Sequence, residues 1–290
     1  MARKNIFQLV EEHYDIQAEA KKIDFLFKHE EYFSRNYTYY TLQKLIEEYL
    51  FVDWRYRGTC IEIKEYLERA NANIPSKGYS ASEDTIINFL EAMENFVELY
   101  ERNGNNLFAQ YNIKYYGNFY DVFCPLIDTM EKRMGLSRRK YRDRVILYPK
   151  NAPLEGVLNV LDEEDVQWEL IRYAREDMTL SEKRKSLAYL ATNLYIEDDK
   201  NETNPTIKTL ISKAGNILNN LHIRHNNKTG KWENEALKDV SKKEALMLCD
   251  MIFNEMLTIV LLREHKKYEE TYIQFNKKQK KVKEQKSGEQ

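Results

Sequence analysis

The chain has 290 residues, a length that fits one large domain or two modest ones. Lys and Arg total 45 against 47 Asp and Glu, and the formal net charge of -2 excludes both a uniformly basic nucleic-acid coat and an acidic solvating chain. With 9 Gly and 5 Pro, turn residues are too few for a turn-rich all-β protein or a low-complexity chain.

In the first half, apolar residues recur at the spacing of amphipathic helices. The segment around residues 71–80 predicts a loop, and residues 107–120 fit either a short hairpin or an aromatic loop. Val145–Tyr148, ended by Pro149, predicts one short strand and a domain boundary near residue 150. The helices are predicted over residues 5–33, 42–67, 82–103 and 122–134.

The second half shows clearer helix signals. Thr179 and Glu182 form a predicted capping box, and Pro205 marks the start of the next helix. The helices are predicted over residues 161–174, 180–194, 206–222 and from 241 to 267 or beyond. Residues 271–290 form a basic tail without apolar period, for which we expect fraying.

The most distinctive segment, residues 219–231, holds two of the five His residues, one Arg and four Asn. A His gives or takes a proton near neutral pH, and a neighbouring guanidinium can bind a phosphate. This chemistry fits metal-free RNA cleavage with the 2′-OH as the internal nucleophile. The predicted catalytic residues are Arg224, His225, His222, Asn226 and Asn227. The alternative interpretation is an ordinary helix end, whose basic residues offset the helix dipole before a polar turn.

A helix ending in Leu-x-x-Leu-x-x-Arg-His-Asn-Asn, followed by a polar loop and a long amphipathic helix, resembles HEPN domains of prokaryotic abortive-infection and antiphage proteins. The resemblance covers about residues 160–270. It implies a helical bundle that dimerises and cleaves RNA without metal, with Arg224 binding the scissile phosphate and His225 as general acid/base. The family motif places a second His after four to six residues, where this chain has Thr229, Gly230 or Lys231. Either His225 or His222 therefore substitutes for it, or the domain only binds RNA.

A second feature is a dense basic cluster, with seven Lys and Arg in thirteen positions. These residues predict phosphate binding; the alternative is a solvated helix end paired with acids such as Glu131 and Asp143. The cluster comprises Lys132, Arg133, Arg138, Arg139, Lys140, Arg142 and Arg144. The 21 Tyr residues, notably Tyr37, Tyr39, Tyr40, Tyr115, Tyr116 and Tyr120, fit helix packing or an exposed binding surface.

The sequence predicts an all-α protein with at most one short strand or hairpin. It predicts an N-terminal helical region (1–150), a HEPN-like bundle (151–270) and a basic tail (271–290). The three cysteines, odd in number and far apart, indicate structural thiols in a reducing compartment. We expect a cytoplasmic protein with no membrane association, no metal and no cofactor. RNA and either a second copy or a partner protein encoded nearby are the expected partners. The two hypotheses are an antiphage effector acting on RNA and a non-catalytic adaptor in a defence complex.

Overall fold

The computed structural model describes residues 14–75, 79–115, 118–175, 177–194, 196, 202–220 and 240–287, with side chains through residue 277 in the last helix. The chain divides into two compact units, Met1–Pro149 and Lys150–Gln290. The N-terminal unit mixes helices and strands, whereas every regular element described in the C-terminal unit is an α-helix.

The N-terminal unit contains five helices and five strands among its described residues. The helices are α1 (Ile16–His29), α2 (Leu42–Tyr49), α3 (Ile63–Arg69), α4 (Glu83–Tyr111) and α5 (Cys124–Arg133). The strands are β1 (Glu31–Arg35), β2 (Thr38–Thr41), β3 (Lys114–Tyr115), β4 (Leu136–Tyr141) and β5 (Arg144–Pro149). A 3₁₀ turn (Arg55–Arg57) and a π-helical turn (Phe119–Phe123) complete the unit.

The strands form two small antiparallel sheets, one of order β2-β1-β3 and one consisting of β4 and β5. In the first sheet Phe33 lies opposite both Tyr40 and Tyr115. The prediction of an all-α fold with at most one short strand or hairpin is therefore wrong. The chain is mostly helical, but its N-terminal unit carries more sheet than the apolar spacing indicated.

The structure first differs from the sequence-based expectation within residues 5–33, where one helix was expected. Helix α1 begins after Asp15, whose carboxylate accepts hydrogen bonds from the backbone N–H groups of Gln17 and Ala18 at 2.9 and 3.1 Å. It ends at His29, and β1 follows at once. The run Thr38–Thr41 consists of aromatic and β-branched residues that favour strands, and it pairs with β1.

Helix α4 is the central element of the N-terminal core. Its buried face includes Phe89, Leu90, Met93 and Phe96, and the ring of Phe96 stacks on that of Phe27 with centroids 5.5 Å apart. The helix runs on to Tyr111, beyond the predicted end near residue 103, and it stops at a left-handed residue, Asn112. Part of the expected hairpin or loop is therefore helical.

The structure also differs from the sequence-based expectation at the basic cluster, which the alternative interpretation placed at the end of a helix. Helix α5 ends before Gly135, whose positive φ of 64° lets the chain turn into β4. Strand β4 returns as β5 through a tight turn at Arg142 and Asp143, since Tyr141 lies opposite Arg144. Five of the seven basic residues therefore lie on a β-hairpin, and Lys132 and Arg133 end α5.

The C-terminal unit contains α6 (Ala152–Val160), α7 (Glu164–Arg175), α8 (Leu180–Asn193), α9 (Pro205–Asn220) and α10 (Lys242–Ser287). The predicted capping box at the start of α8 is confirmed, because Thr179 and Glu182 exchange backbone and side-chain hydrogen bonds. Helix α10 is the hub of the unit and contacts α6, α8 and α9.

Helices α9 and α10 pack against each other. The start of α9 lies beside the middle of α10, where Lys266 Nζ is 3.2 Å from Glu202 Oε1 and 2.8 Å from Thr203 Oγ1. Residues 267–277 of α10 are exposed, and its buried positions lie between Ala245 and Ile259.

Helix α10 carries the most apolar stretch of the chain. By length and composition alone it is long enough to cross a membrane, with a window of mean hydropathy 1.9 that is 39% buried within the protein. The core helix of a soluble protein passes the same test. Within this stretch Asp250 forms an ion pair with Lys183 and accepts a hydrogen bond from the Tyr173 hydroxyl at 3.1 Å.

Candidate functional site

An acidic stripe on α4 forms one wall of the candidate site. Glu91, Glu94, Glu98 and Glu101 follow each other at intervals of three, four and three residues, which places them on one face of the helix. This face is turned towards the β4–β5 hairpin. Glu98 pairs with Lys140 at 2.7 Å, so the stripe holds the hairpin by charge.

Two side chains of α4 also bind the backbone of β5. Asn95 is buried; its Oδ1 accepts from the Val145 N–H at 2.9 Å, and its Nδ2 donates to the Val145 carbonyl at 2.8 Å. Two residues further along β5, the Leu147 N–H donates to Glu91 Oε2 at 2.9 Å. The edge of β5 away from β4 is therefore satisfied by side chains, and the hairpin has a fixed position on α4.

The opposite wall is helix α5, which supplies Asp128 and Glu131. Arg138 lies between the two walls: its Nη1 is 3.1 Å from Glu94 Oε1 and 3.1 Å from Asp128 Oδ1. Carboxylate oxygens of Glu94, Asp128 and Glu131 all lie within 4.8 Å of one another. Three carboxyl groups and one guanidinium thus share a small volume.

Burial changes the protonation of this cluster. It raises the pKa of Glu131 to about 8, and the neighbouring charge of Glu94 contributes in the same direction. Burial also raises the pKa of Glu94, against the opposing effect of Arg138. Near neutral pH Glu131 therefore carries a proton, and this carboxyl group is hydrogen-bonded to Glu94. One oxygen of Glu131, Oε1, is buried and has no hydrogen-bond partner in the described part of the chain.

The cluster opens into a cleft of about 430 Å³. Besides Glu94, Glu98 and Glu101 of the acidic stripe and the basic residues of β4, Tyr120 and Cys124 line it. Burial and the charge of Glu101 raise the pKa of Cys124 to about 12, and burial raises that of Tyr120. Since a thiol of such a pKa is protonated at physiological pH, the cleft is suited to binding a cation or moving a proton rather than to thiolate attack.

The predicted nucleic-acid-binding residues lie in different surroundings. Arg138 and Lys140 project towards α4 and form ion pairs there. Arg142 and Arg144 lie over the ring of Tyr141, at 5.1 and 5.5 Å from its centroid, and Arg133 lies over the ring of Tyr14 at 5.3 Å. Arg139 lines the cleft, and Lys132 is exposed at the end of α5. Phosphate binding by Arg138 or Lys140 requires that their ion pairs break first.

The predicted catalytic residues Arg224, His225, His222, Asn226 and Asn227 lie outside the described residues. The described helices on either side of them in the sequence, α9 and α10, pack against each other. Among the Tyr residues, Tyr40 is buried, Tyr39, Tyr115 and Tyr120 are partly exposed, and Tyr37 is 97% exposed; Tyr116 lies outside the described residues.

The acidic residues of the cleft were missed at the sequence level. The available signal was the 3-4-3 spacing of four Glu residues on a predicted helix, matched by Arg138 and Lys140 at the period-two spacing of a strand. No family model matches the chain, and neither does any curated protein or solved structure.

Proposed function

We propose that the protein is an antiphage effector that acts on RNA through residues 222–227 of the C-terminal unit. One observation carries the proposal: Arg224, His225, Asn226 and Asn227 stand in the sequence shortly after the apolar helix α9, which ends at Asn220. The resemblance to HEPN domains supports the same assignment. Cytoplasmic action is part of the proposal, because the substrate is cellular RNA.

In this proposal Arg224 binds the scissile phosphate and His225 takes the proton of the 2′-OH. The 2′-oxygen attacks phosphorus and the bond from phosphorus to the 5′-oxygen breaks, which leaves a cyclic phosphate and a 5′-hydroxyl. The leaving oxygen needs a proton from a second group. A second copy of the chain, paired about a two-fold axis, supplies it through its own His225, and His222, Asn226 and Asn227 orient the reacting groups.

The test is the integrity of cellular RNA after induced expression. We expect cleaved RNA with the wild type and intact RNA with Arg224→Ala and His225→Ala, since a lost proton-transfer group costs about 10²- to 10⁴-fold in rate. His265→Ala is the matched control, because this His is exposed on α10. Cleavage that survives both substitutions refutes the assignment. Intact RNA in all cases, also when genomic neighbours are co-expressed, refutes the nuclease.

A second function, partner binding as an adaptor, is favoured by Tyr37. This residue is 97% exposed at the tip of the β1–β2 hairpin, with a positive φ of 67° that a Tyr adopts at a cost. A large exposed aromatic side chain is a common anchor of protein interfaces. The test is co-purification with products of neighbouring genes: Tyr37→Ser should lose the partner, while Tyr79→Ser, equally a change of an exposed Tyr, should retain it.

A further inference from the structure

The carboxylate cluster of the N-terminal unit has the composition of a cation site. Glu94 comes from α4, and Asp128 and Glu131 come from α5, so two helices fix the three groups. Oxygens of all three lie within 4.8 Å of one another. Hard divalent cations such as Mg²⁺, Mn²⁺ and Ca²⁺ take carboxylate oxygens as ligands and complete their shells with water. The adjoining cleft of about 430 Å³ has room for that water.

A second observation concerns Glu131 itself. The residue is only 6% exposed, and its Oε1 has no hydrogen-bond partner in the described part of the chain. A buried acceptor without a partner is costly, because it has lost its water without gaining a donor. A bound cation supplies the missing partner.

Arg138 lies where a cation would compete with it. Its guanidinium contacts Glu94 and Asp128 at 3.1 Å each, while its side chain is 53% exposed. A residue that exposed can turn into solvent and release both carboxylates. Arg138 and a divalent cation would therefore exclude each other.

We propose that Glu94, Asp128 and Glu131 bind a divalent cation of the Mg²⁺, Mn²⁺ or Ca²⁺ class, and that Arg138 occupies the site in its absence. The site belongs to the N-terminal unit and is independent of any action on RNA. Binding displaces Arg138 into the cleft or into solvent, and Glu131 releases its proton to water as its carboxylate takes the cation. The cation and the guanidinium thereby form a two-state switch on the β4–β5 hairpin.

The experiment is a calorimetric titration of the full-length protein, stripped of metal with EDTA, with Mn²⁺, Mg²⁺ and Ca²⁺ in turn. We expect one site per chain. Glu131→Gln removes a ligand at constant shape and should weaken binding by about tenfold or more. Arg138→Gln removes the competing cation and should tighten binding by a similar factor. Thermal unfolding of each variant verifies that it is folded, and Asp128→Asn repeats the ligand test at a more exposed position.

Two matched controls distinguish binding at the proposed site from nonspecific binding of cations to acidic side chains. Glu101→Gln removes a carboxylate that lines the same cleft outside the cluster, and it should leave the affinity unchanged. Lys140→Gln removes the same charge as Arg138→Gln from the same strand, but its partner is Glu98. The proposal is overturned if neither the wild type nor Arg138→Gln binds any of the three ions. It is equally overturned if Glu131→Gln matches Glu101→Gln, or if Lys140→Gln tightens binding as much as Arg138→Gln.

Discussion

Replacing Asn95 with Ala is expected to destabilise the N-terminal unit severely. The side chain makes two hydrogen bonds with the backbone of Val145 and a third, at 2.7 Å, with the carbonyl of Glu91. The variant leaves the N–H and the C=O of Val145 buried without their partner. At about 1–3 kcal/mol for each buried group that loses its partner, the loss is about 2–6 kcal/mol.

The matched control is Asn103→Ala. Asn103 lies on the same helix, and its Nδ2 donates to the carbonyl four residues earlier, Leu99, at 2.8 Å, as Asn95 does to Glu91. It differs in having no bond to β5 in the described structure. Ala also favours helix, so this control should cost less than about 1 kcal/mol. Urea unfolding of the full chain, followed by circular dichroism, gives both values, and equal losses for the two variants would refute the role assigned to Asn95.

Three further outcomes are expected. Tyr37→Gly should stabilise the N-terminal unit by about 1 kcal/mol in thermal unfolding, because Asn36 and Tyr37 form a two-residue turn with positive φ at both positions and Asn-Gly is its preferred sequence. Cys124, whose pKa burial raises to about 12, should react with a disulfide reagent at pH 8 about a thousandfold more slowly than an ordinary thiol, and denaturant should abolish that difference. Replacing Tyr272 with Ala should change the unfolding free energy by less than about 0.5 kcal/mol, because its side chain on α10 is 66% exposed, and a larger loss would show that it packs against the protein.

The fold could be predicted where one element buries one regular stripe. The capping box at Thr179, the start of α9 at Pro205 and the short strand at Val145–Tyr148 follow from local signals, and the structure has all three. Cap chemistry and apolar period depend on neighbours in sequence, so one chain suffices to recognise them.

The short strands β1 and β4 were not predicted from the sequence. Strand β1 has five residues and follows α1 after a single residue, so an apolar stripe through Phe27 passes into it without interruption. The basic residues of β4 gave no apolar alternation, because Arg138 and Lys140 face the acidic residues of α4 and form ion pairs with them. The ion pairs of Arg138 and Lys140 join residues more than forty positions apart in the sequence. Contacts this distant leave little mark on the local sequence pattern.

The candidate site, like the fold, could be predicted from the sequence only in part. The acidic stripe of α4 was visible in the spacing of its Glu residues, but its meeting with Asp128 and Glu131 depends on how α4 and α5 pack. The raised pKa of Glu131 is likewise a product of burial, which composition does not reveal. The residues that sequence reasoning singled out, Arg224 and His225, were found by their chemical type alone, and their roles remain a proposal.

The hydrogen bonds that Asn95 and Glu91 form with the backbone of β5 influence the order of folding. An isolated two-stranded hairpin is marginal in water, and β4–β5 has no third strand in the described structure. In the described structure, the backbone of Val145 on its free edge is satisfied by Asn95 of helix α4, 50 residues earlier in the chain. Helix α4 is available first during synthesis, and the hairpin becomes stable when it docks on that helix. Folding of the N-terminal unit should therefore end with the docking of β5 on α4. Replacing Asn95 should then raise the unfolding rate, because the contacts of β5 form late in folding.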